Sequence, residues 1–292
     1  MPGRLFCLGW MLVCLPVHAF DFRDHERIVL IGSTFIEREQ RYGYWEAALI
    51  AALPEKSLTV RNLGWSGDTV WGEARAGFDS PAEGYKRLVD HVREEKPTLI
   101  IVGYGTNEAF DGSSGLPRFR EQLNRLLDDL SATNARFILL SPIHLVPFPG
   151  VPAPDDINAS MDRYTDVIRE TAERRNALFL DLRDWAKSPS EPLTENVMHL
   201  SERGYQQTAG RFLQALGLPA MSPLEEDRMK TLRRLVVQKN ELYFHRWRPQ
   251  NVTYLFGFRK HEQGQNAREI AEFDPLIAAK EREIERCKQL KD

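Results

Sequence analysis

Five short apolar runs rich in branched residues, each divided from the next by a longer amphipathic stretch, constrain this chain more than any other feature. The runs are Ile28–Ile31, Leu58–Asn62, Thr98–Val102, Phe137–Leu140 and Leu178–Asp181, and each ends near Gly, Asn, Ser or Asp. Between and after them, Tyr44–Leu53, Pro81–Glu95, Leu116–Leu130, Met161–Arg175 and Glu202–Leu216 carry apolar residues at three- and four-residue spacing, the period of a helix that buries one face. Near-continuous apolar runs suit strands covered on both sides. The repeat therefore predicts an α/β fold with a five-stranded parallel sheet between layers of helices. In open sheets of this kind ligands bind beyond the carboxyl ends of the strands, which directs attention to the residues just after each run.

The alternation stops at Leu218-Pro219. Beyond it, Pro223 to about Phe244 and Pro275–Leu290 read as helices, divided by a segment from Arg246 to Asn266. Tyr243, Phe244, Trp247, Tyr254, Phe256 and Phe258 make this tail too apolar for a disordered linker. Residues 218–292 are thus expected to form a mostly helical, aromatic-rich extension packed on a main domain of residues 20–217. Its mixture of aromatic and polar groups suits either ligand binding or docking onto that domain. Pro-rich Leu145–Pro154 is expected to be a loop after the fourth strand.

At the other end, Arg4, the apolar stretch Leu5–Leu15 and the small residues of Val17-His18-Ala19 have the layout of a secretory signal over residues 1–19. That reading makes the protein exported, periplasmic or secreted. The stretch is shorter than the roughly 20 apolar residues of a bilayer span, so no stable membrane span is expected after cleavage. Cys7 and Cys14 fall inside the signal, which leaves Cys287 alone and excludes an intramolecular disulfide in the mature chain. A net charge of -3 over 292 residues supplies no field that would gather nucleic acid. The histidines lack the paired spacing of a zinc site, and no metal or organic cofactor is implied.

The first run leads into Gly32-Ser33-Thr34-Phe35-Ile36-Glu37, the second into Asn62-Leu63-Gly64-Trp65-Ser66-Gly67-Asp68-Thr69 and the third into Gly103-Tyr104-Gly105-Thr106-Asn107-Glu108. Late in the chain comes Asn196-Val197-Met198-His199-Leu200, followed by Gly204-Tyr205. In this order, the segments resemble the four blocks of the SGNH, or GDSL-like, hydrolases. The resemblance spans about Ile28 to Leu216 and implies a flavodoxin-like three-layer α/β/α sandwich, in agreement with the βα reading. It also implies ester hydrolysis through an acyl-enzyme. Thr34 occupies the nucleophile position and His199 that of the general base. The Gly67 backbone N–H and the Asn107 side-chain amide match the family's oxyanion donors, with the Thr34 N–H as a third.

Two positions depart from the family pattern. Gly-Ser-Thr stands where the family has Gly-Asp-Ser, and the extra methyl of Thr34 restricts its rotamer and crowds the approach to a carbonyl. Asn196 occupies the place of the family's Asp, three residues before His199; it can orient an imidazole but cannot neutralise an imidazolium. Glu195 is adjacent and is the alternative partner for the ring. Ser33 is the rival nucleophile, although neighbouring side chains at a strand end point to opposite sides, so only one faces His199. Taken singly, Gly64 and Gly67 also fit a tight turn, Asn107 a helix cap and His199 a structural hydrogen bond, while Asp68 reads as a loop-stabilising acceptor. Two functional readings follow. One is an esterase acting on a small acyl ester, with an acetylated glycan as the substrate that exported relatives suggest. The other is a degenerate member that binds a glycan or protein partner without turnover.

Overall fold

The computed structural model describes residues 19–151, 154–188, 191–220 and 224–289, so all of the expected signal segment except Ala19 lies outside the described residues. The elements of the sandwich, in chain order, are β1 (Glu26–Gly32), α1 (Thr34–Tyr42), α2 (Tyr44–Ala52), β2 (Leu58–Asn62), α3 (Pro81–Glu94), β3 (Leu99–Gly103), α4 (Leu116–Ser131), β4 (Arg136–Leu140), α5 (Asp155–Arg174), β5 (Leu178–Leu180) and α6 (Glu202–Ala215). All strand pairs are parallel and the sheet runs β2-β1-β3-β4-β5.

Alternate residues of the strands serve opposite layers, as the two-residue period of a strand requires. Val29, Ile31, Ile100, Val102 and Leu139 pack with Leu88 and Val92 of α3, Leu123 and Leu127 of α4, and Met161 and Ile168 of α5. Ile28, Leu30, Leu99, Ile101, Ile138 and Leu140 pack with Ile36 of α1, Trp45 and Leu49 of α2, and Phe212 and Leu213 of α6. Both clusters are essentially dry, and each such side chain contributes about 1.5–3 kcal/mol by leaving water. The result is the expected flavodoxin-like three-layer sandwich.

Two local differences from the sequence pattern matter. Helix α5 starts at Asp155 rather than Met161, because its first turn is polar and carries no apolar spacing to read. Helix α1 was not legible as a helix at all. Only Ile36 and Glu39 are buried along it, and it ends where Gly43 takes a left-handed conformation (φ 66°) and donates its N–H to Glu39 O, after which α2 begins in a new direction.

The extension comprises α7 (Glu226–Trp247), two single-turn helices α8 (Val252–Leu255) and α9 (Lys260–Gln263), and α10 (Phe273–Gln289). One end of α7 and the end of α10 form a third apolar cluster with α2, through Leu232, Leu235, Val236, Ile284 and Cys287 against Ala47, Ile50 and Ala51. The other end of α7 reaches the opposite layer, where Tyr243 and Trp247 join the cluster under α3 and α4. Helix α7 therefore crosses the open edge of β2. There the buried Lys239 donates to the β2 carbonyl of Val60 at 2.9 Å and pairs with Glu46 at 2.7 Å, so a buried charged donor joins Arg61 Nη1, at 3.2 Å, on an edge acceptor. Among the described residues, no helix is long and apolar enough to cross a membrane.

Candidate active site

The carboxyl ends of β1, β2 and β3 converge on the first turn of α1. Ser33 is the N-cap residue and Thr34 the first helical residue, so the Thr34 backbone N–H is one of the donors that a helix leaves unpaired at its start. The Thr34 hydroxyl is partly exposed and accepts the N–H of Gly67 at 3.1 Å. Ser33 is only 4% exposed and makes no hydrogen bond to Gly67 or His199 among the described residues, so Thr34 is the hydroxyl that meets the loop after β2.

That loop is clipped to α1 before it turns. Asn62 donates from Nδ2 to Ile36 O at 2.6 Å and accepts the Gly64 N–H at 2.8 Å. A Cβ on Gly64 would stand 2.3 Å from the Glu37 nitrogen, so this glycine is required by the close passage of two backbones. Gly67 has a different reason: its φ of 76° closes the turn in which Asp68 N donates to Trp65 O, and a Cβ there would meet open space. The turn aims the Gly67 N–H at Thr34. Asn107, beyond β3, donates from Nδ2 to Asp68 O at 2.8 Å and makes no side-chain cap to the short helix that follows it. Its amide carries a second hydrogen on that nitrogen.

Beneath these donors lies a buried polar web. Asp68 is fully buried and accepts Arg75 Nε at 2.7 Å and Tyr104 Oη at 3.0 Å, while Arg75 also donates to Leu63 O at 2.8 Å. Asp68 thus acts as an internal acceptor that holds the loop. Glu108 accepts the backbone N–H of Val70 and of Gly105, each at 2.8 Å, and so ties the β2 and β3 loops together. Burial pushes its carboxyl up to about 7.

On the facing side, His199 sits on a loop that a bridge between Thr194 and Leu200 closes just before α6. Asn196 Oδ1 accepts the backbone N–H of Met198 at 2.9 Å and of His199 at 2.8 Å. Those two donors fix the amide orientation, which leaves Asn196 Nδ2 against His199 Nδ1 at 3.0 Å. An amide nitrogen can only donate here, so Nδ1 is the acceptor and a neutral ring carries its proton on Nε2. An aspartate in this place would select the opposite tautomer. Glu195 does not reach the ring; its carboxylate is held by Arg38 at 2.5 Å. Burial, and next the Arg38 charge, hold the His199 imidazole below the usual histidine range against an opposing pull from Glu195.

Thr34, Asn107 and His199 line one pocket, with Ser141, Met198 and Tyr205 among its walls. Gly67 joins it through its bond to Thr34. Among the described residues, no hydrogen bond links the Thr34 hydroxyl to the His199 ring, and such contacts commonly tighten only with substrate. Thr34, Gly67, Asn107, Asn196 and His199 are therefore gathered from four separate segments of the chain.

Residues 31–207, more than half of the chain, match the model of the GDSL-like Lipase/Acylhydrolase family. The chain belongs to that family. Among solved structures, it is similar to a gut microbial diltiazem-metabolizing enzyme (TM-score 0.68, 12% identity, covering 93% of this chain and 97% of that one). It is also similar to a catalytic mutant of Axe2, an acetylxylan esterase from Geobacillus stearothermophilus (TM-score 0.55, 21% identity, covering 70% and 99%). At these identities the likeness is one of fold. A search of curated proteins finds no match.

In this family member, sequence reasoning missed the residues that hold the donors in place. Arg75 and Glu108 are charged side chains that end up buried, and their one visible signal was position, just after strands two and three, where a charge must find a partner or stay in water. The Arg38–Glu195 pair joins segments so far apart in the chain that no local pattern announces it.

Proposed function

We propose that this protein hydrolyses small acyl esters through an acyl-enzyme on Thr34. The observation that carries the reading is the 3.1 Å contact between the Gly67 N–H and the Thr34 hydroxyl, in a pocket that His199 and Asn107 also line. In the reaction, His199 Nε2 takes the Thr34 proton as Oγ1 attacks the ester carbonyl. Negative charge then builds on the carbonyl oxygen, where the N–H groups of Gly67 and Thr34 and the Asn107 amide receive it. The imidazolium returns its proton to the departing alcohol, and water repeats the cycle to release the acid.

The tautomer limits this chemistry. Nε2 can accept a proton only when Nδ1 carries one, and Nδ1–H would then confront the Asn196 amide hydrogens at 3.0 Å. The base works from its less stable tautomer, and the threonine methyl crowds the attack, so turnover is slow. An acetyl group on carbohydrate is the substrate class this reading adopts. The signal-like residues 1–19, which imply export to where such glycans lie, and the shared fold with a protein described as an acetylxylan esterase support it. The purified mature chain is expected to hydrolyse a short-chain nitrophenyl ester, and to release acetate from acetylated xylo-oligosaccharides, with His199→Ala abolishing both. Equal rates for parent and variant would refute the proposal.

One observation favours a second reading. Because the Asn196 amide donates to Nδ1, the neutral resting ring offers an Nε2–H donor rather than a base, which suits a protein that binds an acetylated glycan without cleaving it. Under that reading the parent binds the oligosaccharide and releases no acetate, while Asn196→Asp combined with Thr34→Ser creates a release that the parent lacks.

A further inference from the structure

The extension reaches the back of the loop that carries Gly67. Arg248, just past the end of α7, lays its guanidinium over the Trp65 ring at 3.5 Å from the centroid and donates from Nη1 to Glu37 Oε2 at 2.7 Å. The same Glu37 carboxylate, in the first turn of α1, accepts the Ser66 backbone N–H at 2.7 Å and the Ser66 hydroxyl at 2.8 Å. Trp247 stands edge-on to Trp65 with ring centroids 5.8 Å apart. From within, the buried Arg75 guanidinium lies 5.4 Å from the Trp65 centroid and 6.0 Å from that of Trp247. Trp65 is therefore flanked by two guanidinium groups, Ser66 is held by a carboxylate that one of them neutralises, and Gly67 is the next residue.

We infer that the C-terminal extension is part of the active site, and that Arg248 is a positioning residue which, through Trp65 and Glu37, fixes the turn that aims the Gly67 N–H. The chemistry of the side chain supports the assignment. A planar guanidinium can lie flat on an indole and still direct an N–H into a carboxylate, whereas an ammonium on a flexible stem does one or the other. The turn it supports needs such help, since Gly67 has no side chain to pack and the space a Cβ would enter there is open. The effect on turnover rests on the hydrolytic reading above; the brace itself does not.

The full-length chain tests this. Arg248→Ala is expected to lower kcat for a nitrophenyl ester by about ten- to a hundredfold, the scale of a misplaced catalytic group, with KM held within about twofold. Arg248→Lys is expected to recover only part of the loss, because it restores the charge near Glu37 without the stack. Arg246→Ala, whose partner Asp274 lies within the extension, serves as the control and should leave kcat unchanged. Hydrogen exchange gives a readout that does not depend on activity: amides of residues 64–69 should exchange faster in Arg248→Ala while the strands keep their protection. If Arg248→Ala does not fold, Arg248→Lys is judged by the same two measurements. A folded variant with parental kcat and parental protection over residues 64–69 overturns the inference. Should the parent hydrolyse no ester, the hydrolytic proposal fails, and exchange over residues 64–69 alone decides whether Arg248 braces the loop.

Discussion

On one side of the pocket, Gly67 and Asn107 rest on a buried web in which Arg75 and Tyr104 donate to Asp68 and Glu108 joins the loops of two neighbouring strands. On the other, His199 takes its orientation from the single side chain of Asn196, on a partly exposed loop whose nearest carboxylate is occupied by Arg38. The two sides serve different needs. Stabilising a developing negative charge requires donors that do not move, and a rigid buried framework supplies them. Moving a proton requires a ring in the right tautomer, which depends on one atom of one neighbour. The family departures at Thr34 and Asn196 both fall on the proton-moving side, while the donor side carries the family's residue types. Under the hydrolytic proposal, this chain keeps the residues that would hold charge and alters those that would create the nucleophile.

Exchanging the single atom that sets the tautomer is the most direct way to break the contrast. Asn196→Asp keeps the acceptor for the Met198 and His199 N–H groups and turns the Nδ1 contact from donor to acceptor. It is expected to raise kcat by roughly a thousandfold or more, since the reverse change in a serine protease triad cost on the order of ten-thousandfold. A rate unchanged in ester-hydrolysis assays would mean that proton transfer is not the weak side. On the framework side, Asn107→Ala is expected to lower kcat by about a hundred- to a thousandfold with little change in KM, which steady-state kinetics can separate. A loss confined to KM would make Asn107 a ground-state contact.

The smallest effect sharpens the comparison through pH. His199 must be neutral to accept a proton, and its ring is held below the usual histidine range. Activity therefore rises as pH climbs through that lowered value, so the acid limb of kcat/KM should lie below the ordinary value of about 6.5. Removing the opposing charge with Glu195→Gln should move the limb lower still, and Asn196→Asp should move it higher. A limb above the ordinary value in the parent would assign the titration to another group, with Glu108 near 7 the first to test.

The layered sheet was legible because its strands are buried on both faces and leave near-continuous apolar runs; Leu58–Asn62 coincides with the observed strand, and the other four differ at one end or both by a residue or two. Helix α1 was not, because a short surface helix with two buried residues carries almost no periodic signal, and its position had to come from Gly43 and from packing. At the site, the blocks identified which residues stand after each strand, but not what Asn196 does. Its role depends on which of its two amide atoms faces the ring, and that is decided by backbone N–H groups whose directions exist only once the loop is folded. Arg248 was invisible for a related reason: one arginine in a tail already rich in them acquires meaning only from the indole beneath it.

The path of α7 over the sheet margin carries a further consequence for how this chain can be divided. Cutting after Leu218 would strip the Lys239 ammonium from Val60 and uncover Ala47, Ile50 and Ala51 in the same stroke, leaving a bare β ribbon beside a greasy helix face. Such a fragment invites strand-to-strand association with its own copies, so a shortened version of this protein is expected to fail by self-assembly in solution before its chemistry can be measured.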